Sequence, residues 1–312
     1  MNIYVYLFSS ASIILTFSIF SYYSEKLNSN LYDGKKFNYS SFILVFNYAY
    51  LFLATIVAKF ITKKKNFTNL LSKELIVASI FSVVSLESAI NLGYTLNYLF
   101  AVLFRSSKFL SLVISSLIFH REKKEHHSSQ NLGFAICTTV GLVLFASGGK
   151  DSGKSELIGF FYGFLSLFAD CVVSHNQSKV DRNTFDFLTL MQVMNFWNLI
   201  TSIILCFGIK GEFWPAIQFI QTHNSVLLNQ FLSTTCFVIG SFFIFFHLNN
   251  FGPVNLAYVT SVRKVITIFV SCILFSHSMN TMKTSGMVII IICVIADVFG
   301  NIKKARAKPK VQ

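Results

Sequence analysis

Charge is scarce in this chain. Only 12% of its 312 residues are Asp, Glu, Lys or Arg, about half the share usual in soluble domains. Acids are scarcer still, 13 against 26 Lys and Arg. Polypeptide outside hydrophobic stretches is almost absent, which excludes a soluble domain of useful size. No CxxC pair occurs. The six cysteines (Cys137, Cys171, Cys206, Cys236, Cys272 and Cys293) all fall inside apolar segments and read as buried free thiols rather than disulfides or a metal site. No nucleophile–base constellation is visible, so no enzyme is expected, and nothing calls for a cofactor. The net charge of +13 is spread over short basic runs with no soluble fold to present them, which excludes nucleic acid as a partner.

What is present is hydrophobic length. The chain is 54% hydrophobic, with a mean hydropathy of +0.60. A spanning helix needs about 20 mostly apolar residues. Ten such stretches lie near residues 2–24, 40–62, 75–94, 97–119, 129–148, 156–178, 186–208, 225–248, 254–276 and 282–302. The first is longer than a signal-peptide core and lacks a basic leader and a small-residue cleavage site, so it is expected to stay as a helix. The 36 phenylalanines read as lipid-facing or packing residues. The fold expected is an all-α integral membrane domain of ten transmembrane helices, with membrane lipid as its solvent.

Two lysines sit deep inside apolar segments. Lys108 and Lys264 are 156 residues apart, half the chain. At that offset Ser111 meets Thr267, Ser115 meets Ser271 and Phe119 meets Phe275. Each lysine has a cationic companion, Arg105 or Arg263. Five helices per half is an odd number, so the second half enters the membrane in the opposite sense, an inverted repeat. The halves are placed at 1–152 and 153–302, with a basic, disordered tail at 303–312. Both lysines then lie roughly 16 Å deep, near the middle of the ~30 Å core. Lys108, Ser111 and Ser115 form one helical stripe, and Thr260, Lys264, Thr267 and Ser271 form another. A charge at a helix centre costs at least about 2.5–3.5 kcal/mol. Either the intramembrane acids Glu87, Asp170 and Asp297 pair with these cations, or an anionic ligand completes the charge, as phosphate does with Arg forks and Lys point charges.

Orientation follows from basic residues in loops. Fifteen Lys and Arg fall on the side of the N-terminus and seven on the other, which predicts both termini in the cytosol. The tail ends Lys308-Pro309-Lys310-Val311-Gln312. It resembles a KxKxx signal read by a coat complex for retrieval to the endoplasmic reticulum, and it also suits a basic anchor on anionic lipid. The run 148–155 matches GxxxxGK[ST] letter for letter, and 141–145 before it looks strand-like. Spanning segments on both sides leave no sheet for a phosphate-binding loop, so it reads as a polar hinge between halves. His120, His126 and His127 read as a solvated turn, and His175 and His247 as hydrogen-bonded core residues. Gly159 and Gly163 suit close helix packing.

Several motifs carry a resemblance spanning nearly the whole chain. Phe251-Gly252-Pro253-Val254, followed by Thr260-Ser261-Val262-Arg263-Lys264-Val265-Ile266-Thr267-Ile268, resembles the FGP…TTxRKxxTI signature of the UAA branch of nucleotide-sugar transporters, in solute carrier family 35, subfamily B. Ser24-Glu25-Lys26-Leu27, Leu165-Ser166-Leu167-Phe168-Ala169-Asp170 with Gln177, Asn195-Phe196-Trp197 and Gly211-Glu212-Phe213-Trp214 resemble further family pieces in order. The resemblance implies ten helices, an inverted repeat, and antiport of a nucleotide or nucleotide sugar against a nucleotide. It assigns phosphate binding to Lys108, Arg263 and Lys264, with Arg105 assisting. Arg105 stands where a lysine is usual, the turn 91–99 lacks the usual proline, and Glu87 occupies a commonly uncharged position, so substrate identity stays open. Candidates to contact a base or sugar are Tyr94, Tyr98, Tyr258, Asn91, Thr260 and Thr267, with packing an equal reading for the tyrosines. Glu87, Asp170 and Gln177 are candidates for coupling or gating. The expected mechanism is alternating access. The contenders are UDP-galactose with UMP, ATP with ADP, and the sulfate donor PAPS, against an anion channel or a non-transporting scaffold.

Overall fold

The computed structural model describes residues 3–64, 70–96, 98–106, 129–147, 154–180, 186–274 and 280–307. Its helices are α1 (Ile3–Ser29), α2 (Ser40–Ile61), α3 (Lys73–Thr95), α4 (Tyr98–Ser106), α5 (Ser129–Ser147), α6 (Lys154–Lys179), α7 (Phe187–Ile203), α8 (Phe213–Thr222), α9 (Asn224–Leu274) and α10 (Thr281–Ala307). Among the described residues six helical stretches are long and apolar enough to cross a membrane: Tyr4–Ser29, Ser40–Ile61, Lys73–Thr95, Leu157–Gln177, Phe187–Ile209 and Asn224–His247. Leu15, Leu53, Val57, Phe161, Leu228, Phe269 and Ile292 are exposed, while Ser79, Gln192, Asn195, Asn198, Ser202, Gln230 and Thr234 are buried. Apolar outside and polar inside is the arrangement of a chain solvated by lipid, where backbone polar groups are satisfied within each helix. The protein is a multi-pass membrane protein.

The 51-residue α9 is not one rod. Ser233 lies 3.0 Å from Ser24, and Ser271 donates to Glu25 at 2.6 Å. A straight helix would hold positions 233 and 271 about 57 Å apart, yet both meet neighbouring residues of α1. The chain therefore doubles back between Phe251, which packs on Tyr6, and Leu256, which joins the Ile13–Phe17–Val259 cluster. Gly252-Pro253 lies there, and proline removes a helical donor and clashes with the preceding turn. The stretches expected at 225–248 and 254–276 are the two arms of this hairpin, and α1 runs along both.

Other contacts are pairwise. Helix α3 packs on α6, α2 on α7, and α5 on α10. Glycines set the closest approaches. A Cβ on Gly286 would lie 2.6 Å from the Phe145 backbone N, and one on Gly141 would lie 2.8 Å from Ile290. The Gly159/Gly163 pair faces Leu96 and Phe104 at 2.6–2.7 Å by the same measure.

The connections hold two backbone features with positive φ. Asp33 (47°) and Gly34 (80°) form a two-residue turn closed by reciprocal Tyr32–Lys35 backbone hydrogen bonds, the torsions an Asp-Gly turn favours. After α7 the helix widens into a π turn, Ile204–Ile209. Gly211 at φ 60° then lets the Lys210 and Glu212 N–H groups bond back to the Leu205 and Cys206 carbonyls, a helix-ending closure that only glycine makes without strain.

One expectation, that of the tail, needs correction. The run 141–145 is helical within α5, as the span expected at 129–148 requires. Of the 148–155 motif, 148–153 lies outside the described residues, and Lys154 opens α6. The tail expected to be disordered from Lys303 is helical to Ala307. Lys, Ala and Arg are good helix formers, and basic residues suit a helix C-terminus. Residues 308–312, with the KxKxx match, lie outside the described residues. The histidine turn at 120–127 does also.

A cation-lined cavity in the membrane domain

A cavity of about 690 Å³ lies inside the bundle, within the range of small-molecule sites. Its walls come from α1 between Phe17 and Asn28, α2 between Ile43 and Tyr48, α3 between Leu86 and Tyr94, the length of α4, the middle of α6, and both arms of α9. On α1, α2 and α3 these residues occupy the half nearest the face where α1 ends and α2 begins. The opposite half is packed. There Ile13 and Ile14 meet Leu256 and Val259, His247 bonds Ser9 at 2.8 Å, and Lys59 donates to Gln192 at 2.9 Å. The cavity thus extends from mid-bundle toward one face.

Three of the four expected cations line it: Arg105, Arg263 and Lys264. The fourth, Lys108, lies outside the described residues. The Lys264 ammonium donates to the Arg105 carbonyl at 3.1 Å, which ties the α9 return arm to α4. The Arg263 guanidinium stands 4.3 Å over the Phe17 ring, a cation–π contact of about 0.5–2 kcal/mol. Asp170 also lines the cavity. It lies 3.7 Å from Arg105 and accepts from Ser85 at 2.5 Å. Pairing of a cation with an intramembrane acid therefore does occur, at Arg105.

The other sequence candidates divide. Tyr94, Tyr98 and Thr267 line the cavity, and the Tyr98 hydroxyl lies 2.7 Å from Ser21. Thr260 is not among the lining residues, and Gln177 is exposed with its amide on Met194. Their stripes point elsewhere: α9 turns Lys264 and Thr267 to the cavity and Ser271 to Glu25. Of Tyr258 and Asp297 only the backbone is described.

Glu87 and Asn91 belong to a separate network beside the cavity. Glu87 pairs with Lys210, accepts from Ser40 at 2.5 Å and from the Asn91 amide at 3.1 Å. Lys210 also lies 3.3 Å from Glu212, which accepts from Ser41 N at 2.9 Å and so caps α2 from across the bundle. Burial alone would lower the Lys210 ammonium; the Glu87 hydrogen bond and charge, with Glu212, outweigh it and raise Lys210 above its ordinary value. The sequence reading placed Lys210 in a loop and left Glu25 off the intramembrane acids. Glu25 is 1% exposed and bonded to Ser271.

Sequence reasoning also passed over the uncharged wall, including Ser21, Ser24, Asn28, Asn47, Gln230 and Ser233. Asn28 Oδ1, Tyr94 OH, Gln230 Oε1 and Arg263 Nε are buried without a hydrogen-bond partner. Such groups cost about 1–3 kcal/mol each when left unmade, and four around one cavity mark a site completed by a polar ligand or by water.

A bundle with lipid-facing apolar surfaces and a polar, cation-lined cavity reaching one face is built as a membrane transporter, not an enzyme. The chain belongs to the UAA transporter family, whose profile matches residues 6–300. It is 25% identical to "Solute carrier family 35 member B1" of Dictyostelium discoideum over 94% of this chain and 76% of that protein. It is 26% identical to "UDP-galactose transporter homolog 1" of Kluyveromyces lactis over 72% of each. It is 23% identical to "Adenosine 3'-phospho 5'-phosphosulfate transporter 1" of Drosophila melanogaster over 65% of this chain, a match spanning under half of that relative, 44%.

Proposed function

We propose that this protein exchanges a nucleotide sugar of the UDP-galactose type for a nucleoside monophosphate by alternating access, between two inverted five-helix repeats at 1–152 and 153–302. The observation that carries the reading is the one-ended cavity with Arg105, Arg263 and Lys264 at its mid-bundle floor. The phosphates bind there, with Lys108 three residues beyond Arg105 in sequence as a fourth donor. Asp170 stands beside Arg105, and the substrate's phosphates bind the cations that line the floor. A cation-lined site emptied of its anion resists reorienting through an apolar core, so return requires a second anion and exchange becomes obligatory.

The helix pairings support the repeat. Exchanging the halves turns α1 into α6 and the α9 hairpin into α3–α4. It therefore turns α1 packed on α9 into α6 packed on α3 and α4. It returns α2–α7 and α5–α10 to themselves. The α3–α4 junction at Leu96, shifted by the same 156 residues that relate the lysines, falls on Gly252, at the α9 reversal. Rocking about such an axis moves the access path from one face to the other around a fixed site.

The remaining assignments follow from this reading. Both termini face the cytosol, so the cavity opens to the lumen, and the membrane is that of the endoplasmic reticulum, with the Golgi second. The tail 303–312 contacts lipid or a coat complex. Relatives named for UDP-galactose and for the phosphosulfate donor support a nucleotide-linked substrate. ATP/ADP exchange and phosphosulfate transport are the alternative substrates for the same site.

Uptake into proteoliposomes tests the exchange. Labelled UDP-galactose is expected to enter only when UMP is inside. Equal uptake into empty liposomes contradicts exchange, and a continuous anion current under voltage identifies a channel.

A further inference from the structure

We propose that Asn47 and Gln230 form a recognition site for the uncharged end of the substrate, about three helical turns along the bundle from Arg263. This rests on the reading above that phosphates occupy the floor. Gln230 donates to Asn47 Oδ1 and to Thr234 Oγ1, both at 3.1 Å, and Thr234 donates to Asn47 Oδ1 at 2.5 Å. This triangle joins α2 to the first arm of α9. It uses the Asn47 oxygen and the Gln230 N–H groups, leaving the Asn47 N–H group and the Gln230 oxygen without protein partners. Turning both amides over reverses every bond and again leaves one donor and one acceptor. The pair therefore offers a fixed donor–acceptor edge, and Gln230, 1% exposed with Oε1 unpartnered, lines the cavity with Asn47.

The position along the bundle gives the ligand its length. Arg263 is level with Phe17 of α1. Gln230 lies one turn beyond Ser233, which meets Ser24, and so is level with the last residues of α1. Ten residues of helix separate these levels, about 15 Å. A phosphate or sulfate ion cannot bridge that distance; an elongated phosphorylated compound with an uncharged hydrogen-bonding end can. Two neutral groups match a paired donor and acceptor: the edge of a nucleobase, and vicinal hydroxyls of a sugar. Between these levels the rings of Phe20 and Phe237 pack 5.3 Å apart on the cavity wall and suit the body of such a ligand.

The test uses the full chain purified in detergent, with dissociation constants from thermal shifts for pyrophosphate, UMP, galactose 1-phosphate and UDP-galactose. Gln230→Met keeps the volume and removes the edge; Asn47→Ala is the second variant, used if the first does not fold. Pyrophosphate binding is expected to be unchanged by either, while UDP-galactose weakens about five- to tenfold, the value of one or two neutral hydrogen bonds. Loss shared with UMP assigns the edge to the base, and loss shared with galactose 1-phosphate assigns it to the sugar. Unchanged UDP-galactose binding overturns the inference and leaves the phosphate site standing. If pyrophosphate and UMP fail to bind the wild type, the phosphate-site reading fails instead.

Discussion

Replacing Lys210 with methionine strips the cation from Glu87 while keeping the side-chain length. The Glu87 carboxylate is 9% exposed and the Lys210 side chain 29%. Breaking a fully buried pair costs about 3–5 kcal/mol, and an exposed pair contributes at most about 1. This half-covered pair falls between, near 2 kcal/mol. Ser40 and Asn91 still donate to Glu87 in the variant, which keeps the loss at the lower end. Glu87→Gln costs less, about 1 kcal/mol, because the amide oxygen still accepts from Ser40 and Lys210 keeps Glu212 at 3.3 Å. Once the cation is gone, a neutral residue at 87 is no worse than a stranded carboxylate. The double variant is therefore expected to lose about 2 kcal/mol rather than 3, a coupling near 1 kcal/mol. Thermal unfolding followed by tryptophan fluorescence reads this directly. Trp197 is fixed near the opposite face by its bond to the Leu70 carbonyl at 2.7 Å, so with Trp214, the second tryptophan and a neighbour of Glu212, replaced by phenylalanine in every protein compared, it reports global unfolding, with Lys210→Met lower by roughly 4 °C. Additive losses within about 0.3 kcal/mol would refute the pairing.

Three further outcomes are expected. Gly286→Ala drives a Cβ into the Gly141 carbonyl and the Phe145 backbone, where neither can yield without moving a helix, and should lower stability by about 2–3 kcal/mol, with little binding change, in the same melt. Lys59→Met should be neutral or stabilising by about 1 kcal/mol. Lys59 is wholly buried and donates to Gln192 at 2.9 Å, and an apolar side chain of similar volume avoids desolvating a charge. Asp170→Asn leaves the Ser85 bond in place but removes the carboxylate that competes at Arg105. Nucleotide affinity by thermal shift should rise about threefold or more, and stability should change by less than about 1 kcal/mol, since both partners are over a third exposed.

Legibility in the sequence followed energetic cost. Arg263 and Lys264 stood out because a cation in an apolar segment is expensive, and both line the cavity. Apolar length placed six spans, 225–248 among them, and the stretch expected at 254–276 falls on the return arm of the same α9. Asn47 and Gln230 escaped because uncharged amides cost little in a helix and raise no alarm, although Gln230 and Thr234 at i, i+4 inside 225–248 were a visible polar stripe. Glu25 and Lys210 escaped because both sit at helix ends, where a charge reads as solvated; the bundle's width buries them. Thr260 and Gln177 lie off the cavity wall, because a stripe gives a face without saying which neighbour it meets. Glu87 and Asn91 went to the Lys210 network for a related reason, since the turn that carries Lys210 back to α3 depends on Gly211, a tertiary event without local signature.

The most direct test of the central claim, that the mid-bundle cations carry the phosphates across, is exchange by Lys264→Ala in proteoliposomes loaded with UMP. The variant is expected to melt within a few degrees of the wild type and to take up no UDP-galactose, because the ammonium that links the α9 return arm to α4 and faces the cavity is gone. Near-normal uptake by a folded Lys264→Ala protein would contradict the account.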